Sequence, residues 1–299
     1  MFDLIPEFTP KLVAELDRLR LRAKREFVGM GHGSHTSPRR GSSLEFSEFR
    51  PYVAGDDFRY IDWGLYARTD KFYVKLFKEE EDLLTYIFLD DSASMAYPAE
   101  DGKFRAAIAL TLALAYVALS QGDRVMVRLL SGRSDVVNRG FLQGRNRLGE
   151  LVQRLVRIEP SGALDLAASL AHELIAIKRA GKAFVISDFM MLFNSVSRGL
   201  GLFAAANMDV SAIHVLGASE LSGQGASGEV EVVDAETGER VRLFLDERER
   251  TKYSETLLRH SRQIRAFCLR LGMRYALYNT SESFEHFFVK AASELGMVR

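Results

Sequence analysis

From residue 83 to the C-terminus, short apolar runs alternate with longer helical ones, and few architectures accommodate that rhythm. Residues 83–89, 125–130, 183–187, 210–216 and 273–278 read as strands. Between and after them, 103–120, 148–157, 166–179, 193–206, 250–271 and 283–295 read as helices, with Gly122, Gly181 and Gly272 as stop signals. Strands that are apolar without alternation are covered on both faces, and intervening helices supply the covers. The pattern predicts an α/β fold with a doubly wound, mostly parallel sheet. One insertion, 229–246, reads instead as a β-hairpin turning at Glu236, Thr237 and Gly238.

Ahead of this region, 1–80 forms the expected first domain and 81–299 the second. Residues 10–26 read as a charged amphipathic helix with Leu12, Leu16, Leu19 and Phe27 on one stripe. Residues 29–43, rich in Gly, Ser and His, read as a loop. In 71–78, Phe72, Val74 and Leu76 alternate with Tyr73, Lys75 and Phe77, as in a strand.

Forty Lys plus Arg balance forty Asp plus Glu, so no global field draws the chain to nucleic acid or anionic lipid. The N-terminus is too charged for a signal peptide. The longest apolar run, 106–119, is about 14 residues, a length that favours a buried helix over a membrane span. A single cysteine, Cys268, excludes an intramolecular disulfide and a cysteine-rich zinc site. A cytoplasmic location is expected.

The strand at 83–89 runs into Asp90, Asp91, Ser92 and Ser94, and the strand at 183–187 into Asp188. In an open parallel sheet, ligands bind outside the carboxyl ends of the strands. Oxygen donors of this kind suit a hard divalent cation such as Mg²⁺ or Mn²⁺. The alternative is that Ser92 and Ser94 cap a turn while Asp90 accepts from backbone N–H groups. Asp90-x-Ser92-x-Ser94 resembles the metal-ion-dependent adhesion site of von Willebrand factor A domains, and Asp188 matches that family's later aspartate. The resemblance implies a threonine where this chain has Leu164, and leucine donates nothing to a cation.

A longer pattern lies in 39–83. Glu45, Phe46, Arg50, Tyr52, Gly55, Asp56, Asp57, Arg59, Ile61, Asp62, Trp63, Ala67 and Arg68 resemble the signature of the bacterial family of domain of unknown function fifty-eight. That family joins this segment to a von Willebrand A-like domain and is associated with MoxR-type AAA+ ATPases. Arg50, Arg59 and Arg68 lie close in sequence to Asp56, Asp57 and Asp62, a spacing that favours Arg–carboxylate pairs. Two roles fit: a partly buried ion-pair network anchored by Trp63, or a partner-recognition surface.

Other chemistries find little support. The run at 29–35 lacks the strand and Lys-Ser/Thr of a phosphate loop, and His32 and His35 lie within it. No Gly-x-Ser-x-Gly elbow exists. Ser92 stands where an aspartate-nucleophile phosphatase needs a second carboxylate, and no lysine completes a phospho-receiver site. The expectation is a non-enzymatic interaction module: an adaptor for a MoxR-type ATPase, or a metal-independent scaffold whose ion site has decayed.

Overall fold

The computed structural model describes residues 5–22, 45–78, 83–132, 137, 140–222, 228–236 and 238–298. The chain divides into two compact units, one of Met1–Phe27 with Leu83–Arg299 and the other of Val28–Asp82.

Helix α1, Pro10–Leu16, starts where Thr9 accepts the Leu12 N–H and Pro10 presets the first turn. It is shorter than the expected 10–26 helix, because the chain turns into strand β1, Arg20–Leu21. Leu12, Leu16 and Leu19 are buried, as their stripe requires. Phe27 and the loop at 29–43, with His32 and His35, lie outside the described residues. The smaller unit contains β2 (Glu45–Pro51), α2 (Trp63–Thr69) and β3 (Tyr73–Lys78), with β2 and β3 antiparallel across a bulge.

The larger unit continues with β4 (Leu84–Leu89), α3 (Lys103–Ser120), β5 (Arg124–Leu129), β6 (Leu142–Gln143), α4 (Leu148–Leu155) and α5 (Leu166–Ala176). Next come β7 (Lys182–Ser187), α6 (Phe193–Ala205), β8 (Asp209–Leu216) and the short α7 (Ala218–Ser222). The hairpin β9 (Gly228–Val233) and β10 (Arg240–Leu245) precedes α8 (Glu247–Arg270), β11 (Arg274–Asn279), α9 (Phe284–Ala291) and β12 (Met297–Val298). Thr237, at the expected hairpin turn, lies outside the described residues. Because β1 pairs with β12, the leading residues belong to the α/β unit rather than to a first domain of 1–80.

The result is a mixed α/β structure whose six-stranded sheet runs in the order β11-β8-β7-β4-β5-β6. Only the short edge strand β6 is antiparallel. Strands β4, β7 and β8 are buried at every position, as their largely apolar character predicts, with Lys182, Ser187, Asp209, Ser211 and His214 buried among the polar exceptions. One apolar cluster joins α1, α3, α4 and α9 to one face of the sheet; the other joins α5, α6 and part of α8 to the opposite face. Helix α3 is apolar almost all round and buried almost all round, the correspondence expected of a core helix. Gly122, at φ +88°, ends it.

Charge at the amino ends of β7, β8 and β11 is paired inside the protein. Asp209 accepts two hydrogen bonds from Arg274 Nη1 at 2.6 and 2.9 Å and lies 3.5 Å from the fully buried Lys182 Nζ. Removing one partner of a buried pair leaves an uncompensated charge, which costs about 3–5 kcal/mol. Asp209→Ala should therefore lower unfolding free energy by about that amount, measured as a shift of the urea midpoint at unchanged m-value.

Candidate functional site

Strand β4 is the point from which the chain order diverges: β5 lies on one side of it, and β7, β8 and β11 on the other. The helices following β4 and β7 pack on opposite faces, since α3 and α6 belong to different clusters. A crevice at the carboxyl ends of β4 and β7 is the position where open α/β sheets bind ligands. Asp90 and Asp188 are the first residues after these two strands.

The Asp90 carboxylate is fully buried and held from both sides. Ser92 donates to Oδ1 through its N–H at 2.9 Å and its hydroxyl at 2.7 Å. Ser187 donates its hydroxyl to Oδ2 at 2.5 Å and accepts the Phe189 N–H at 2.8 Å. Ser94 Oγ lies 3.2 Å from Ser92 Oγ, and Ser94 is half-exposed. Burial above all, then the neighbouring Asp188 charge, pushes the Asp90 carboxyl up to about 7 against the hydrogen bonds that stabilise its ionised form.

Asp188 is also fully buried, but its charge is already answered. Lys103, 1% exposed, donates from Nζ to Asp188 Oδ2 at 2.9 Å and to Glu220 Oε1 at 2.8 Å. Glu220 in turn accepts the Gly217 N–H at 2.7 Å, while Asp188 accepts that of Met190 at 3.1 Å. Burial works to lower the Lys103 pKa, yet the two carboxylates outweigh it and keep the ammonium charged. Phe189, which follows Asp188, is buried at φ +46°, and its carbonyl lies 2.9 Å from His260 Nε2. A bulky residue in the left-handed region is strained, and such strain concentrates at functional sites.

The loop before α5 lies against this crevice. The Ser161 N–H donates to the Asp91 carbonyl, and the Ala93 N–H to the Gly162 carbonyl, both at 2.9 Å. Leu164 is half-buried there, and Asp165 caps α5 by accepting the Ala168 N–H. Asp91 faces Ser131, accepting its N–H at 2.9 Å and its hydroxyl at 2.6 Å. The structure thus brings Asp90, Ser92, Ser94 and Asp188 to one edge and adds Ser187, Lys103 and Glu220. Lys103 was detectable as a cation opening an apolar helix; Ser187 and Glu220 carry no such sequence signal.

The 45–78 residues hold their charges locally. Asp56 accepts from Arg50 Nη2 at 2.7 Å and from the Val53 N–H at 2.9 Å. Asp57 pairs with Arg59 at 2.6 Å. Asp62 caps α2 through the Leu65 N–H at 2.8 Å and pairs with Lys75 at 2.9 Å. Arg partners hold Asp56 and Asp57 below the usual carboxylate range, and Lys75 does so for Asp62. Arg68 donates to the Gly64 carbonyl rather than to a carboxylate. Trp63 is 59% exposed, so it is not the buried anchor expected of it; it meets Tyr66 and Phe72 edge-on instead. In the core, burial drives the His214 imidazole down to about 4 and the Cys268 thiol up to about 12.

A family model described as "Protein of unknown function DUF58" matches residues 48–263. The chain belongs to this family. It is 30% identical over 234 residues to "Uncharacterized protein Mb1516" of Mycobacterium bovis and, equally, to "Uncharacterized protein Rv1480" of Mycobacterium tuberculosis, covering 77% of this chain and 72% of each relative. Among solved structures, conserved hypothetical protein BatB from Bacteroides thetaiotaomicron is similar at 12% identity and a TM-score of 0.39, covering 71% of this chain and 98% of that one. An aerotolerance-related membrane protein from Bacteroides fragilis is similar at 13% identity and a TM-score of 0.38, over the same shares.

The raised Asp90 pKa makes a signed prediction. Between 3.8 and about 7 the folded chain holds a proton that the unfolded chain has released, so stability falls as pH rises through that window. In chelator, the difference in unfolding temperature between wild type and Asp90→Asn should move steadily in favour of the variant from pH 4 to about 7 and then level off.

Proposed function

We propose that this DUF58 chain is a non-enzymatic interaction module that docks a partner protein at the carboxyl-end crevice. The observation that carries this reading is the convergence of Asp90, Ser92, Ser94 and Asp188 where the strand order diverges. The sheet is of the doubly wound, von Willebrand A-like kind, and the crevice corresponds to a metal-ion-dependent adhesion site. The partner is a MoxR-type AAA+ ATPase, as the family resemblance implies, met in the cytoplasm. One stretch, Ala99–Ser120, is long and apolar enough to cross a membrane, but most of it is buried within the α/β unit, where it serves as core.

The donor set fits a cation in part. The Ser92 hydroxyl gives its hydrogen to Asp90, accepts from Ser94 Oγ and keeps one lone pair for a cation. Its 3.2 Å spacing from Ser94 Oγ is close to the roughly 2.9 Å between adjacent ligands of an octahedral cation bound at 2.0–2.1 Å. Asp90, Ser92 and Ser94 would hold Mg²⁺ or Mn²⁺, which supplies an open coordination position for a partner carboxylate. Asp188 would stay with Lys103 and orient the crevice from behind. Leu164 contributes no donor.

A second reading, a metal-independent scaffold, draws support from the Lys103–Asp188–Glu220 cluster, in which one ammonium answers two carboxylates without a metal. Thermal unfolding with Mg²⁺, Mn²⁺ or chelator separates the two. A cation that binds only the folded chain stabilises it by about 2.7 kcal/mol at a hundredfold excess over its dissociation constant. The expected outcome is a metal-dependent rise in wild type that is absent in Asp90→Ala and Ser92→Ala. No rise at millimolar metal would leave the scaffold as the function. Binding of a MoxR-type ATPase weakened by Ser94→Ala would tie the crevice to the partner.

A further inference from the structure

Strand β5 differs from β4, β7 and β8, which are buried at every position. Toward one face it offers Val125, Val127 and Leu129, all buried. Toward the other it offers Arg124, Met126 and Arg128, all half-exposed, beside a β4 that presents Leu84, Tyr86 and Phe88 to the same side. A sheet face with a helix packed across it is apolar. Helix α5 ends at Ala176 and leaves this part of β5 open beside it. The opening is a pocket of about 290 Å³ whose lining includes Leu84, Tyr86, Arg124, Met126, Phe141 and Lys178.

The chemistry of the lining is divided. Its floor is apolar and aromatic: Tyr86 and Phe141 meet edge-to-face with centroids 5.5 Å apart, and Leu84 and Met126 complete it. Its rim is cationic. The Arg124 guanidinium lies 4.8 Å from the centroid of the Phe141 ring, and Lys178 and Arg179 come from the segment that follows α5. Tyr86 donates its hydroxyl to the Arg179 carbonyl at 2.8 Å, which fixes that segment over the floor. Glu173 is the acidic residue of the lining and is engaged by Arg128. Neither Arg124 nor Lys178 has a carboxylate partner among the described residues.

We propose that this pocket binds a small phosphate-bearing aromatic ligand of the nucleoside monophosphate class. An inorganic anion would leave the aromatic floor in water, and a neutral apolar ligand would leave Arg124 and Lys178 without a carboxylate or phosphate. A flat base stacks on an Arg–Phe pair whatever its sequence of ring substituents, because every base has a π face. The phosphate then meets Lys178 at the rim, where charge-assisted hydrogen bonds are the strong ones. The volume lies at the small end of the range for ligand pockets, which favours one nucleotide unit over two. This site shares no residue with the crevice at the ends of β4 and β7, so the two stand or fall separately.

Isothermal titration calorimetry of the full chain tests the assignment with AMP, GMP, adenosine, inorganic phosphate and a poly-glutamate peptide. A nucleoside monophosphate is expected to bind more tightly than phosphate or adenosine alone, with affinity falling as salt rises. Arg124→Gln and Lys178→Gln should each weaken it by about tenfold or more. Phe141→Leu should weaken the nucleotide while leaving any phosphate affinity unchanged. Unchanged unfolding temperatures would show that the variants fold. No heat from either nucleotide up to several millimolar overturns the proposal. Phosphate binding as tightly as AMP, or the peptide binding in place of the nucleotides, overturns the ligand class.

Discussion

The burial of β4 on both faces is the constraint from which the rest of this protein follows. All six of its residues are buried, and it pairs with β5 on one side and β7 on the other. An unpaired polar group along such a strand is costly; β4 carries one in the buried Thr85 hydroxyl, and the carboxylate is displaced to the strand's end. Asp90 is that displaced group, and its backbone N–H still donates to the Ile186 carbonyl at 2.9 Å. The same pairing carries Asp188 alongside.

The two ends of the sheet treat charge in opposite ways. At the amino ends, Asp209 is met by Arg274 and Lys182 at once. At the carboxyl ends, Lys103 satisfies Asp188 and Glu220, while Asp90 has only hydroxyls and one N–H for partners. Hydrogen bonds reduce the cost of a buried carboxylate but do not remove it, which is why its pKa stays high. Unspent negative charge beside hydroxyl oxygens is what a cation, or a partner's donor, would use.

The smaller unit follows different rules. Its aspartates terminate turns and begin helices before they do anything else: Asp57 caps a short 3-10 turn and Asp62 caps α2. Its aromatic residues form a cluster in which Tyr66 and Phe72 stack at 4.5 Å and the exposed Trp63 meets both edge-on. The motif pattern that marks the family is therefore largely a set of local caps and pairs on exposed ground.

Much of the α/β unit was legible in the sequence because its signals are local. Strand β4, helix α3 and the hairpin sit within a residue or two of where apolar runs and glycines place them. Helix α1 ended early because tertiary pairing of β1 with β12 overrode its periodicity. Trp63 misled because sequence gives hydrophobicity, not depth. The sequence by itself determined which segments are strands and helices, and that oxygen-bearing residues follow two of the strands. Only the tertiary structure decided that those two strands are neighbours, that a lysine 85 positions away from Asp188 holds it, and that one face of β5 stays open. Strand order, burial and pairing across long separations depend on how surfaces fit, and no local pattern encodes that.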